Sequence, residues 1–191
     1  MKAKNPYPIM TADEAVQFIS DGNMVAFSGF TSAGAAKVIP KALASKAREQ
    51  HDKGSNFKIK VLTGASTSEA IDKDLAEANA ISWRAPYQSD KVIRNLINQE
   101  EVEYVEMHLS HLPQAVSSGF FGKVDVAVIE AREITADGRV YLTTSIGASP
   151  TFLRKSSLRL TGTIRQDSGK WQIFGSCRLH LDAIPFIFLN P

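Results

Sequence analysis

The sequence predicts an α/β domain with a mainly parallel open sheet and flanking helices, and three observations carry that prediction. Short apolar runs alternate with amphipathic helical stretches from about residue 11 to residue 155. The run Val124 to Ile129 (VDVAVI) is almost continuously apolar, as expected of a strand buried on both faces of a parallel sheet. Loops rich in Gly, Ser and Thr recur where strands give way to helices.

The elements follow in order. Thr11 and Glu14 have the spacing of a capping box and precede an apolar stripe at Ala15, Phe18 and Ile19. Asp21-Gly22 ends that helix, and Met24 to Phe27 reads as a buried strand. Val38 to Arg48 reads as a helix, Phe57 to Leu62 as a strand, and Ser68 to Ala78 as a helix. Lys91 to Asn98 has helical periodicity, and Tyr104-Val105 reads as a short strand. After Val124 to Ile129, Asp137-Gly138 is a tight-turn signal between Glu133-Ile134 and Val140 to Leu142.

Composition bounds the function. The chain has 191 residues, 43% of them hydrophobic and 22% charged, which suits a globular domain with one sizeable core. A net charge of +2, with basic and acidic residues interspersed, gives no footprint for nucleic acid or for a polybasic membrane anchor. A single cysteine, Cys177, excludes an intramolecular disulfide and suits a reducing compartment. The N-terminal residues lack an apolar signal core, and no apolar run is long enough to span a bilayer, so the expected location is cytoplasmic.

Ligands of open α/β sheets bind beyond the carboxyl ends of the strands, where helix N-termini present free N–H groups to anions. Three loops fit that description: SGFTSAG (Ser28 to Gly34), TGASTS (Thr63 to Ser68) and TSIGASPT (Thr144 to Thr151). In the third, Ser149 and Pro150 read as N-cap and first helical residue. Each loop alone is better explained by ordinary capping and turns, and only the three together favour an anion-binding crevice.

The run Asp21 to Lys37 (DGNMVAFSGFTSAGAAK) resembles the signature of the class I coenzyme A transferases, matching at Asp21, Gly22, Val25, Ala26, Phe27, Gly29, Phe30 and Gly34. Ser28 stands in place of a glycine, as in the acetyl-CoA hydrolase/transferase branch, while Ala36 replaces the motif's proline and Ala35 a frequent tyrosine. IPKALA (Ile39 to Ala44), LTGAST (Leu62 to Thr67), RAPYQS (Arg84 to Ser89), MHLSH (Met107 to His111), GKVDVAVIEA (Gly122 to Ala131) and TSIGASPTFL (Thr144 to Leu153) resemble the same branch in the same order.

This resemblance to the acetyl-CoA hydrolase/transferase family, of acetate/succinate CoA-transferase type, implies an N-terminal domain over residues 1–157 with the CoA-transferase fold. It implies ping-pong exchange of CoA between an acyl-CoA and a short-chain carboxylate through a glutamyl-CoA intermediate. The nucleophilic glutamate and most CoA contacts are expected in the C-terminal half, so no catalytic residue is expected in this chain. Coenzyme A enters as a thioester substrate, with no tightly bound cofactor. The expected partners are an acyl-CoA, a short-chain carboxylate, the C-terminal domain and, for the intact enzyme, a second copy. On the substrate side the resemblance points to Ser66, with Gly29, Phe30, Thr31, Gly64 and Thr67 in the pocket wall. Hydrolysis of acetyl-CoA, and a non-catalytic piece that pairs with a separate C-terminal half, are the alternatives. A sugar-phosphate isomerase of related architecture fits the loops less well.

Residues 158–191 depart from this pattern. The break near Lys155 predicts a shifted reading frame, the rival being a genuine hairpin turned by Asp167 to Gly169 between Leu160 to Ile164 and Trp171 to Phe174. The apolar stretch Pro185 to Leu189 needs something to pack against.

Several side chains invite sharper readings. His108 and His111 would share a helix face, but no third ligand stands at a defined spacing, so no metal is expected. Cys177 lacks an activating motif. Glu130, after the clearest strand, is expected to have a structural or pocket-edge role. Arg84 is either an anion contact, to a carboxylate or a CoA phosphate, or half of a surface salt bridge.

Overall fold

The computed structural model describes residues 10–65, 69–135, 139–163, 173–175 and 186–188. Thr11 starts the first helix with the expected capping box. Its hydroxyl accepts from the Glu14 N–H at 3.2 Å, and the Glu14 carboxylate accepts from the Thr11 N–H at 2.7 Å. That helix, α1 (Ala12–Ala15), gives way at once to a 3-10 turn (Val16–Phe18). The tighter turn leaves Phe18 52% exposed and buries Val16 beside Ala15 and Ile19, which corrects the stripe expected through Phe18.

Strand β1 (Met24–Phe27) is buried throughout and leads to α2 (Val38–Asp52), which runs on past Arg48. Then come β2 (Ile59–Thr63), α3 (Glu69–Glu77) and β3 (Ile81–Ala85), a strand the sequence reading missed. Asp90 caps α4 (Lys91–Asn98) by accepting from the Val92 and Ile93 N–H groups. Strand β4 (Glu103–Tyr104) is short, and α5 (Leu112–Ser118), also missed, ends at Gly119 in the left-handed conformation. The clearest predicted strand is longer than expected, forming β5 (Val124–Ile134). It pairs antiparallel with β6 (Val140–Leu142), as the hairpin signal required, although Asp137 and Gly138 lie outside the described residues.

Helix α6 (Ser149–Lys155) follows, and its N-cap is Ala148, with no side-chain cap. Ser149 is thus the first helical residue and not the cap, a shift of one position. Strand β7 (Ser156–Thr163) then pairs parallel with β5 from Val124↔Ser156 to Ala131↔Thr163. The boundary expected at 157/158 falls inside this strand. β8 (Ile173–Gly175) pairs antiparallel with β7 at Thr161↔Phe174, and β9 (Phe186–Phe188) pairs parallel with it at Arg159↔Phe186. The turn expected at Asp167 to Gly169, and Cys177, lie outside the described residues.

The sheet order is β4-β3-β2-β1-β5-β7-β8-β9, with β6 beside β5. All neighbours from β4 to β7 along this path are parallel. Alternate strand residues serve two cores, as the pleat demands. Val25, Phe27, Val61, Val126 and Val128 meet the apolar faces of α2, α3 and α4 on one side. Met24, Ala26, Leu62, Ala127 and Ile129 meet Leu112 and Val116 of α5 and Phe152 of α6 on the other. Helices therefore cover both faces, which is why β5 reads as one apolar run. Strand β1 has β2 on one side and β5 on the other, so the winding of the chain reverses there. A reversal of this kind opens a crevice beyond the carboxyl ends of the two strands.

Candidate functional site

The three Gly, Ser and Thr loops meet at that crevice. The first leaves β1. Ser28 donates its N–H to the Val128 carbonyl at 2.9 Å, and its hydroxyl donates to the Gly34 carbonyl at 2.8 Å while accepting from the Glu130 N–H at 2.9 Å. One buried hydroxyl thereby closes the loop on itself and fastens it to β5. At the tip, Phe30 and Ala33 exchange backbone hydrogen bonds of 2.8 and 2.9 Å. Thr31 adopts a left-handed φ of 52°, uncommon for a β-branched residue, and its N–H donates to the Ala65 carbonyl of the second loop at 2.7 Å.

The third loop arrives differently from expectation. It leaves β6, an antiparallel strand, and that return brings it from the far end of β5 back toward the level where β1 ends. Thr143 donates to the Glu130 carboxylate at 2.7 Å, and Ser145 donates to the Ala33 carbonyl at 2.8 Å. Gly147, at φ 48°, lies against the first loop so closely that an added Cβ would stand 3.0 Å from the Gly29 carbonyl oxygen. Gly64 meets the third loop in the same way: a Cβ there would lie 3.4 Å from the Ala148 nitrogen and 3.9 Å from the Gly29 oxygen. At Gly34, with φ 64°, a Cβ would fall 2.4 Å from the Ser145 hydroxyl. Glycine is favoured at Gly147, where a Cβ would press on backbone, and at Gly34, where it would strike the Ser145 hydroxyl, both at left-handed φ, whereas at Gly64 a Cβ would make only ordinary contact.

Of the residues expected on the substrate side, the fold brings Gly29 and Gly64 together as buried floor and sets Phe30 and Thr31 on the exposed rim. Ser66 and Thr67 lie outside the described residues, between the floor residue Ala65 and the start of α3. Arg84 needs correction. It lies on β3 at 0% exposure, so the surface salt bridge expected for it is replaced by a buried one. Its Nε and Nη2 donate to the two Asp72 carboxylate oxygens at 2.8 and 3.1 Å, and Nη1 donates to Thr63 Oγ1 at 2.9 Å and to the Ala85 carbonyl at 2.6 Å. No exposed face of the guanidinium is left for a carboxylate or a phosphate.

The sequence reading named the loops that hold Ser28 and Gly147 but missed Asp72 and Thr143 as members of this assembly. Gly147 was legible as part of a Gly-rich loop, whereas the Asp72 and Thr143 contacts are tertiary. Glu130 lies behind the third loop and is 5% exposed. Among the described residues no group of three or more His, Cys, Asp or Glu side chains is arranged to hold a metal ion, and His108 bonds Ser110 through Nδ1 at 2.7 Å. No helix of the described residues is long and apolar enough to cross a membrane.

Comparison with known proteins adds to this geometry. A family model, the acetyl-CoA hydrolase/transferase N-terminal domain, matches residues 1–161. A propanoyl-CoA:succinate CoA transferase of Escherichia coli (strain K12) is 52% identical over 147 residues, covering 77% of this chain and 30% of that protein. A succinyl-CoA:acetate CoA-transferase of Clostridium kluyveri is 40% identical over 148 residues (78% and 27%), and an acetyl-CoA hydrolase of Schizosaccharomyces pombe 35% over 145 residues (73% and 28%). This chain spans less than a third of the length of these relatives. Among solved structures, the glutaconate coenzyme A-transferase of Acidaminococcus fermentans superposes at a TM-score of 0.63 with 12% identity, covering 81% of this chain and 65% of that one. RipA from Yersinia pestis gives 0.63 with 21% identity, covering 82% and 36%. At those identities the shared property is the fold.

Proposed function

This chain belongs to the acetyl-CoA hydrolase/transferase family through its N-terminal domain, and from that premise we propose that it forms the carboxylate-facing side of a CoA transferase. The observation that carries the proposal is the meeting of three Gly, Ser and Thr loops at the sheet's reversal point, where peptide groups rather than charged side chains form the floor. Such a floor suits an acyl group and a small carboxylate, because it is uncharged and does not trap the acid as a salt. The acids of the reaction belong to the acetate, succinate and propionate class.

The reaction runs in two balanced halves. A glutamate carboxylate outside this chain attacks the thioester carbonyl, the C–S bond breaks, and CoA leaves as thiolate from an acyl-glutamyl anhydride. The thiolate then attacks the glutamyl carbonyl, which releases the first acid as its carboxylate and leaves a glutamyl-CoA thioester. A second carboxylate reverses these steps and carries CoA away. Coenzyme A is a substrate here and not a resident cofactor. The C-terminal domain and, in the intact enzyme, a second copy complete the assembly.

The test joins residues 1–161 to the remainder of the Escherichia coli relative and supplies propanoyl-CoA with succinate. Succinyl-CoA formation is the expected result, with none from the isolated chain. A folded chimera that forms no succinyl-CoA would sink the proposal. Release of free CoA without succinate would favour the acetyl-CoA hydrolase reading, which the Schizosaccharomyces pombe relative's name supports. Turnover by the isolated chain would place the nucleophile within it, and Glu130→Gln would be the first variant to make.

A further inference from the structure

We infer that Arg84 is a positioning residue for the crevice, fixing Gly64 and Ala65 from behind so that the other two loops have a seat. The guanidinium grips both flanks of the second loop. On one flank, Asp72 lies in α3, the helix into which the loop runs, and takes two of its N–H donors at 2.8 and 3.1 Å. On the other, Thr63 ends β2, where the loop begins, and takes a third at 2.9 Å. The Thr63 hydroxyl then donates its own proton to the Gly64 carbonyl at 3.0 Å. A chain of hydrogen bonds therefore runs Asp72, Arg84, Thr63, Gly64.

What lies at its end matters to the site. Gly64 packs against Ala148 of the third loop, and the Ala65 carbonyl receives the Thr31 N–H of the first. The one guanidinium thus sets the height of the residues on which both other loops rest, while its own exposure is 0%. A lysine cannot do this, since a single ammonium lacks the planar fork that satisfies two carboxylate oxygens and a hydroxyl at fixed angles. Burial of an ion pair contributes little net stability by itself, so geometry is the better reason for its presence.

The hydroxyl of Thr63 is the link to cut, because its removal leaves the Asp72–Arg84 pair intact. Amide hydrogen exchange of the full chain reads the result without any ligand. Thr63→Val is expected to speed exchange at Thr31 by about tenfold, the scale of one lost hydrogen bond. Ser28, bonded to Val128, and Ile59, bonded to Ala80, keep their rates and serve as controls. Thr63→Ser restores the hydroxyl and the slow rate. An unchanged Thr31 rate in Thr63→Val would overturn the inference. So would equal acceleration at Thr31, Ser28 and Ile59, or a Ser variant no slower than Val.

The role in the site rests on the proposed function and is read separately in the chimera. There Thr63→Val lowers kcat/KM for succinate by about tenfold and Thr63→Ser recovers it. Faster exchange at Thr31 beside an unchanged kcat/KM would mean that the chain of bonds is idle in the reaction, which also overturns it. An inactive parent chimera counts against the proposed function alone, since the exchange result does not depend on turnover.

Discussion

Arg84 and Glu130 are both buried, both charged, and both lie behind the crevice, one on each side of β1. They are satisfied in opposite ways. Arg84 has an opposite charge in bidentate contact and two further oxygens, at 0% exposure, so its cluster is electrically closed. Glu130, 5% exposed, takes a hydroxyl proton from Thr143, and no cation is paired with its carboxylate among the described residues. A closed cluster roughly offsets the cost of desolvating its charges and is expensive to break. The Arg84 side is thus held by an ion pair, and the Glu130 side by a hydroxyl.

Substitutions can break or sharpen this contrast. The largest effect is expected from Asp72→Ala, which leaves a buried guanidinium without its counter-charge and costs about 3–5 kcal/mol in urea unfolding. Replacing the pair together, Asp72→Leu with Arg84→Met, is expected to recover most of that loss. Gly34→Ala tests the frame from the other side of β1. Its Cβ would meet the Ser145 hydroxyl at 2.4 Å at a left-handed φ, and the expected cost is about 2 kcal/mol in the same assay. Glu130→Gln keeps an acceptor for Thr143 and removes only the charge, so stability is expected to move by less than about 1 kcal/mol. A loss as large as that of Asp72→Ala would erase the contrast.

The smallest effect is a pH dependence. Burial first, and the Glu106 carboxylate next, hold the Tyr104 phenol above its usual 10.0. The folded chain therefore keeps that proton at pH values where the unfolded chain has lost it. This contribution to stability is intact below pH 10 and falls as pH rises through the folded value. Tyr104→Phe flattens that decline, which unfolding curves taken at rising alkaline pH would reveal.

Much of the frame was legible in the sequence because it is local. Alternation between apolar runs and helical stripes placed β1, β2, β5 and α4, and the Thr11 capping box needs only its own four residues. What escaped is tertiary. Ser82 and Arg84 interrupt the apolar pattern of β3, and only the pairing with Asp72, twelve positions earlier, makes an arginine acceptable there. Polar residues and Pro113 disguised α5, whose burial rests on Leu112 and Val116 alone. The three loops and the hairpin return of β6 were recognisable from composition and turn signals, but the contacts by which the loops meet depend on strand order, which leaves no trace in spacing.

The glycine contacts have a consequence for how such a site diversifies. Gly147 and Gly64 each approach the Gly29 carbonyl oxygen, most tightly at Gly147, so the floor there is made of peptide groups rather than side chains. Enlarging or shrinking it would require moving whole loops. Variation is instead available at the lip, where Phe30 and Ile146 are 55% and 62% exposed and free to be exchanged.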